Sequence, residues 1–269
     1  MQIYPGLHKP AVEIRYDGEL PETKLIPEEV ATLPIADAQP ASLSARAYQT
    51  ILSRILRGTV PLGGELSRRK LAIELGMSIL PVSEALQRLQ NEGIVESQPR
   101  VGTRVRVPTS ADVRERYEIR EALECQTARL FCRVATPADQ AEVLQMARRV
   151  DALYGRCFTH DVTQDEDDPD FLYLVQDTHS RFHLFIAEVG GCEALRALLE
   201  ANQVLTFNWL YYVAARRPLL PLRFHLDLAE ALCTRDEDAA DRAMRAHVRY
   251  GLDHTISCIL PELSATAAL

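Results

Sequence analysis

The 269-residue sequence predicts a mainly α-helical protein, with an N-terminal winged helix-turn-helix followed by an all-helical bundle domain. Residues 66–107 contain two short amphipathic helices across a tight turn and then a hairpin with a basic tip, the order of elements in a winged helix. After Pro108 the sequence shows long helical patterns with almost no β-strand signal. Residues 43–108 hold ten Lys or Arg and five Asp or Glu, a net charge of +5, so with −8 in total the other residues carry −13. A basic module within an acidic chain indicates a local binding site for a polyanion.

The chain divides into four predicted segments. Residues 1–42 are locally acidic and contain six prolines, which interrupt helices and strands, so we expect an N-terminal arm or linker. Residues 43–108 form the predicted winged helix-turn-helix, residues 109–262 an all-helical effector-binding and dimerisation domain, and residues 263–269 a tail.

Helical spacing of apolar residues, with serines at starts and glycines at ends, predicts the elements of both domains. In the winged helix the predicted helices run over 43–57, 67–75 and from Ser78 to just before Gly93, and the predicted strands over 93–97 and 103–107. In the bundle we predict helices near 110–134, 137–157, 169–189, 193–216, 219–234 and 236–259.

The second helix of a helix-turn-helix enters the major groove, while the first helix and the wing hold the DNA backbone. This organisation predicts that the winged helix binds double-stranded DNA, although the same fold can also serve protein contacts. Cations at the start of the first helix suit phosphate, and a glycine at the wing tip permits close approach to a groove. The candidate DNA-binding residues are Arg68, Arg69, Lys70, Ser78, Ile79, Leu80, Ser83, Gln87, Arg100, Gly102 and Arg104, with Arg106 as a further arginine of the wing.

These residues resemble the GntR family of bacterial repressors. The resemblance runs through Leu66, Leu71, Ala72, Leu75, Gly76, Ser78, Pro81, Val82, Glu84, Ala85, Leu86, Leu89, Gly93 and Gly102. The family pattern carries arginines where this chain has Ile79 and Ser83, and each lost arginine–guanine contact removes about 1–3 kcal/mol of base discrimination. Ile79 and Leu80 could contact thymine methyl groups instead. We therefore expect an unusual operator. The two alternatives are an affinity that depends on phosphates and a partner, and a loss of DNA binding.

Four histidines in the bundle are candidate metal ligands. His179 and His183 are one helical turn apart on one face, and His225 and His247 fall among apolar residues of two later helices. Imidazoles from three helices can converge on one ion in a bundle, although core or surface histidines with ordinary hydrogen bonds would show the same spacing. Four neutral nitrogen ligands favour a divalent transition metal, with zinc or nickel as the expected ion.

The helical remainder resembles the FCD ligand-sensing domain of the FadR-type branch of the same family. That resemblance implies a metal site at the four histidines, with His179 in the place of the customary aspartate. It also implies that Arg120 meets the effector, and a guanidinium opposite a metal suits a small organic acid. The alternative is that Arg120 pairs with Glu121 or Glu124 on the helix surface.

Together these features predict a homodimeric transcription repressor controlled by a small organic-acid effector, without enzymatic activity. Two other classes are open: a sensor that acts through protein contacts, and a histidine-metal enzyme, for which no general acid or base is evident near the histidines. The six cysteines are dispersed without a CxxC pair, which suggests reduced thiols in the cytoplasm. No apolar run approaches the roughly 20 residues that span a bilayer, so we expect no membrane partner.

Overall fold

The computed structural model describes residues 42–98, 102–159, 169–201 and 220–256. The winged helix contains α1 (Leu43–Leu56), β1 (Glu65–Leu66), α2 (Arg68–Glu74), α3 (Ile79–Asn91), β2 (Val95–Gln98) and β3 (Gly102–Val105). The bundle contains α4 (Ser110–Val134), α5 (Pro137–Thr159), α6 (Pro169–Val189), α7 (Glu193–Ala201), α8 (Phe224–Leu232) and α9 (Glu237–His254). The predicted fold class is confirmed.

The winged helix is held together by the apolar faces of α1 and α3, which pack against each other. The side chains involved are fully or almost fully buried, and burying each Ile, Val or Leu contributes roughly 1.5–3 kcal/mol. They are Ala47, Ile51 and Ile55 on α1 and Val82, Ala85, Leu86 and Leu89 on α3. Ser67 caps α2 by accepting a hydrogen bond from the Lys70 amide, whereas Ser78 occupies the N-cap position of α3 without a side-chain cap bond.

The wing is an antiparallel sheet with the strand order β1-β3-β2. Val95 pairs with Val105, and Leu66 of β1 pairs with Thr103 on the other side of β3. β1 was not predicted from the sequence, because two residues are too short to show an alternating pattern. Gly102 begins β3 with φ +112°, a backbone conformation that favours glycine. Arg100 lies outside the described residues.

The bundle is built around α4, which packs against α9 and α6, while α5 packs against α6 and α8. Phe131, Phe182, Ile186, Leu232 and Met244 are fully buried between these helices. Over the parts of the chain that the structure describes, no helix combines the length and apolarity that a membrane span requires.

Several predicted helix bounds in the bundle differ from the structure by a few residues. The last of these helices was predicted over 236–259, but α9 begins one residue later because Asp236 serves as its N-cap and accepts hydrogen bonds from two following amides. The helix predicted from 219 begins only at Phe224, because Pro221 interrupts the helical hydrogen bonding and Arg223 has φ +62°. Of the helix predicted over 193–216, the residues after Ala201 lie outside the described part.

Among the described residues, the side-chain contacts that join the winged helix to the bundle include the following three. Arg106 forms an ion pair with Asp112 on α4, and an Arg116 Nη2–H donates to the carbonyl of Glu92 at 3.4 Å. The Arg57 guanidinium at the end of α1 lies over the Tyr173 ring of α6, 4.8 Å from its centroid. Arg106 was expected to line the wing for DNA, but its guanidinium faces α4 because the Asp112 carboxylate attracts it there.

Candidate functional site: a buried histidine cluster and an exposed winged helix

The structure brings the four predicted histidines together in the centre of the bundle. His179 and His183 extend from α6, His225 from the start of α8 and His247 from α9, and each is less than 10% exposed. The Nε2 atoms of His179 and His183 are 3.0 Å apart. One ring nitrogen from each of His179, His183 and His247 lies within 4.8 Å of the other two. The His225 ring centroid is 4.9 Å from that of His179 and 5.1 Å from that of His247. The first three histidines form the tighter ligand group, and His225 flanks it.

The histidine cluster has the dimensions of a site for a transition-metal ion. Two imidazole nitrogens that each lie about 2.0–2.1 Å from one ion are about 3 Å apart, which matches the distance between His179 and His183. The Nδ1 atom of His247 is buried without a hydrogen-bond partner among the described residues. Burial of an unpaired polar atom is unfavourable, so the buried nitrogen of His247 is what we expect of a histidine cluster that binds a ligand. The residues therefore fit a divalent transition metal.

Two carboxylates orient the rings of His183 and His225 through their Nδ1 atoms. Glu124 Oε2 lies 2.8 Å from Nδ1 of His183, and Asp151 Oδ1 lies 2.7 Å from Nδ1 of His225. Asp151 also accepts hydrogen bonds from the backbone amides of His225 and Leu226, both at 3.0 Å. A carboxylate on one ring nitrogen turns the other nitrogen toward a metal and makes it more basic.

Sequence reasoning did not identify either carboxylate. Glu124 was considered only as a surface partner of Arg120, and Asp151 is 74 residues from His225 in the chain. One signal was available for Asp151: it lies next to Val150 and close to Leu153 on a helix whose apolar residues are buried, and an acid at such a position needs a partner.

Arg120 is 2% exposed, and its Nε–H donates to Oε1 of Glu124 at 2.7 Å. The predicted alternative of a pair with Glu124 is therefore observed, but within the core rather than on the helix surface. Burial opposes the ionisation of Glu124, yet the charges of Arg120 and His183 outweigh it and lower the pKa of this carboxyl to about 2. The bond uses one of the five N–H donors of the guanidinium.

A cavity lies between α4, α5, α6, α8 and α9 next to the histidine cluster. Three of the four histidines line it, and Arg120 forms part of its wall, so a ligand there would meet both the metal site and the guanidinium. The other lining side chains are mostly aromatic or hydroxyl-bearing, together with one amide. The polar lining residues are Tyr117, Arg120, Tyr154, Gln176, His179, His225, His247 and Thr255.

Burial lowers the pKa of His225, and lowers the pKa values of His179 and His247 well below the 6.5 of a free imidazole. The unfolded chain therefore binds protons at pH values where the folded chain does not. In the metal-free protein, we expect the free energy of unfolding to be constant above about pH 6.5 and to fall as the pH decreases from 6.5 to 5. Each histidine should contribute up to roughly 1.4 kcal/mol per pH unit.

Urea denaturation of the chelator-treated protein between pH 5 and 8 measures this dependence. In the double variant His179→Gln with His247→Gln the fall below pH 6.5 should be smaller. A stability that stays constant from pH 8 to 5 would contradict the neutral state assigned to these imidazoles.

The winged helix presents most of the predicted DNA-binding residues to solvent. Arg68, Arg69 and Lys70 are exposed in the first turn of α2, and Gly102 is exposed at the start of β3. On α3 the exposed predicted residues are Ser78 at the N-cap, Ile79, Leu80 and Gln87, whereas Ser83 is half-buried.

Three of the predicted DNA-binding residues already have side-chain partners, and the first is Arg68, whose Nη2–H donates to Oγ1 of Thr103 at 3.5 Å. The Nε–H of Arg104 donates to Glu96 Oε1 across the wing at 2.5 Å, and Gln87 Nε2 donates to Asn91 Oδ1 at 3.0 Å. The last two partners lie at or near the protein surface, so DNA contact by Arg104 requires its ion pair to rearrange.

Comparisons with known proteins agree with this architecture. The family described as bacterial regulatory proteins, gntR family, matches residues 43–105, and the FCD domain matches residues 115–250. The chain belongs to the GntR family and carries an FCD domain. It is 25% identical over 214 residues to the HTH-type transcriptional repressor RspR of Escherichia coli, covering 77% of this chain and 86% of that protein.

Two solved structures share the fold of this GntR-family regulator. A putative GntR transcriptional regulator from Rhodococcus sp. RHA1 has a TM-score of 0.63 at 22% identity, covering 79% of this chain and 97% of that one. Escherichia coli McbR/YncC has a TM-score of 0.62 at 22% identity, covering 80% and 98%. Because the matched families consist of transcription regulators, the prediction that the chain is not an enzyme is confirmed.

Proposed function

We propose that this GntR-family regulator is a homodimeric repressor that binds a double-stranded DNA operator in the bacterial cytoplasm. A small organic acid, bound beside a zinc or nickel ion at His179, His183, His225 and His247, controls its operator affinity. Residues 43–108 would bind DNA, and residues 109–262 would bind the effector and the second subunit. The paired half-sites of helix-turn-helix operators favour a dimer.

The observation that carries this proposal is the buried histidine cluster with its two orienting carboxylates, beside a cavity that Arg120 lines. When bound, the metal would supply a Lewis acid for one carboxylate oxygen of the effector. Arg120 would bind and orient the acid through charge-assisted hydrogen bonds while Glu124 holds the guanidinium in place. The aromatic rings of Tyr154 and Phe224 would exclude water on the remaining sides.

The contacts between the domains offer a route from this cavity to the DNA-binding module. α4 carries Arg120 and, one turn earlier, Arg116, whose side chain donates to the winged helix. α6 carries His179 and His183 and also Tyr173, which lies under Arg57 of α1. An effector that binds one arrangement of α4 and α6 better than another would shift the winged helices between arrangements with different operator affinities.

The proposed function is tested by measuring operator binding with and without effector. Selection of bound duplexes from a random pool supplies the operator, and fluorescence anisotropy of the metal-loaded protein then gives Kd with and without a panel of small acids. We expect one enriched, two-fold symmetric motif and a Kd that at least one acid changes by about fivefold or more, the lower end of ordinary allosteric coupling.

A second candidate is a sensor that acts through protein contacts and has lost DNA binding. The observation that favours it is the apolar tip of α3, where Ile79, at the position of a family arginine, is 53% exposed and the neighbouring Leu80 is 67% exposed. The same selection separates the two candidates, because a pool that enriches no motif would favour the protein-contact sensor.

Thymine methyl groups are the feature of the major groove that the apolar tip of α3 can read. Ile79 and Leu80 are exposed and follow the cations of α2, which suit phosphates. Thymine is the base that presents a methyl group in the major groove. Replacing a contacted thymine by deoxyuridine removes only this methyl group. We expect each such replacement in the selected operator to weaken binding about three- to fourfold, as burial of one methyl group predicts.

The matching protein variant is Leu80→Ala, in which the same deoxyuridine operators should bind with nearly the affinity of the thymine operator. The Arg69→Ala variant serves as the control, because loss of a phosphate contact should weaken both operators equally. Equal Kd values of the wild-type protein for the thymine and deoxyuridine operators would contradict methyl recognition.

A further inference from the structure

Gln176 has a buried amide oxygen at the wall of the cavity that accepts no hydrogen bond from any residue the structure describes. It lies one turn before His179 on α6, is 4% exposed and lines the cavity. Its Nε2–H donates to the hydroxyl oxygen of Tyr154 at 3.2 Å, whereas no described residue donates to its Oε1. A buried amide oxygen of this kind is unfavourable unless a donor reaches it, so it marks a place where a ligand N–H or O–H fits.

The hydroxyl groups of Tyr117 and Thr255, which also line the cavity, do not supply that donor. Thr255 Oγ1 donates to the carbonyl of Gly251 at 2.7 Å, so the Tyr117 hydroxyl, 3.0 Å away, donates to Thr255. This chain of hydrogen bonds is complete within α4 and α9. The lining therefore offers donors from Arg120 at one place and an unpaired acceptor, Gln176 Oε1, at another.

The charges around the cavity set the charge of the ligand. Arg120 and Glu124 are both buried and cancel each other. Counted over the described residues, a divalent ion at the histidines with Asp151 behind His225 leaves one net positive charge. One carboxylate neutralises it, whereas a dicarboxylate would leave an uncompensated negative charge in a buried site, which is strongly unfavourable.

We propose that the effector is a small monocarboxylic acid that also carries a hydroxyl group, and that this hydroxyl donates to Oε1 of Gln176. The inference rests on the proposed function and narrows its effector class from organic acids to hydroxy monocarboxylic acids. Gln176 and His179 are three residues apart, about 4.5 Å along α6. In a three-carbon acid, a hydroxyl on the terminal carbon therefore suits Gln176. A hydroxyl on the carbon next to the carboxylate would instead chelate the metal together with that carboxylate.

The test compares three acids of equal chain length by isothermal titration calorimetry on the full-length, metal-loaded protein: propionate, 3-hydroxypropionate and malonate. We expect 3-hydroxypropionate to bind at least tenfold more tightly than both others, because a site built to bond a hydroxyl strongly rejects the analogue without it. In Gln176→Met the advantage over propionate should fall below about twofold, since the acceptor is gone while the metal and Arg120 remain.

Asp177→Asn is the control variant, because Asp177 pairs with Arg181 on the outer face of the same helix and should keep the wild-type ratio. An equal advantage of 3-hydroxypropionate in the wild-type protein and in Gln176→Met would overturn the role of Gln176. Tighter binding of malonate than of 3-hydroxypropionate to the wild-type protein would overturn the monocarboxylate assignment without any variant. If none of the three acids bound, this inference would be overturned, whereas the organic-acid effector of the proposed function would fall only if no acid of the wider panel changed operator binding.

Discussion

Replacement of Glu124 by leucine is expected to lower the free energy of unfolding by about 3–5 kcal/mol. Glu124 is 1% exposed and is the carboxylate that pairs with the equally buried Arg120. The variant would leave the guanidinium as a buried charge without its counter-ion, and the cost of that exceeds what the pair itself contributes. Urea denaturation of the metal-free protein at pH 7 measures the change.

The double variant Arg120→Met with Glu124→Leu tests the reason for this loss. Because both charges are removed and the side-chain volumes are similar, it should recover most of the lost stability. Glu230→Leu, which removes an exposed partner of Arg223 on α8, should leave the unfolding midpoint nearly unchanged. If the Glu124→Leu protein were as stable as the wild type, the buried guanidinium of Arg120 would not need the Glu124 carboxylate as its counter-ion.

His183→Ala is expected to weaken zinc or nickel binding by at least about 100-fold. The variant removes one ligand and at the same time leaves Glu124 without the imidazole that it orients. Asp151→Asn keeps all four histidines, and loss of an orienting carboxylate usually costs about 10- to 100-fold in metal affinity. Competition with a chelating indicator gives both constants, and metal analysis of the purified proteins gives the occupancy.

The control for the metal variants is Asp177→Asn, which changes a carboxylate on α6 whose partner is Arg181 on the exposed face. It should bind metal like the wild-type protein. If His183→Ala bound one equivalent of metal with unchanged affinity, the histidine cluster would not be the metal site.

The long helices were predictable because their apolar residues repeat over many turns. The predicted helices 110–134 and 169–189 match α4 and α6 residue for residue. The short elements were harder to predict, since β1 has two residues and the start of α8 depends on Pro221 and the backbone of Arg223. Their local geometry, rather than a repeating pattern, decides where they begin.

The ligand set of the candidate site was predictable in part. His179 and His183 share a helix face at a spacing of four, and His225 and His247 lie among apolar residues of two later helices, where the family resemblance also implies ligands. The carboxylates behind them were not predictable, because Asp151 meets His225 across 74 residues of chain and only the packing of α5 against α8 brings them together. For the same reason the sequence could not show that the pair of Arg120 and Glu124 lies in the core.

The sequence places Arg106 among the wing arginines predicted to face DNA, whereas in the structure its guanidinium pairs with Asp112 of α4. Its place in the predicted return strand of the wing suggested a DNA contact, but Asp112, whose carboxylate also completes the capping box of α4, lies within reach. A sequence pattern records which residues are near in the chain, whereas the turn from the wing into α4 decides which side Arg106 faces.

The central claim is that a ligand beside the histidine cluster controls operator affinity. The measurement that tests it most directly is the operator Kd of the metal-loaded protein with and without the tightest-binding acid, for the wild type and for His183→Ala. We predict a change of about fivefold or more in the wild type and less than twofold in His183→Ala. The same change in both proteins, or none in the wild type despite bound acid, would contradict the claim.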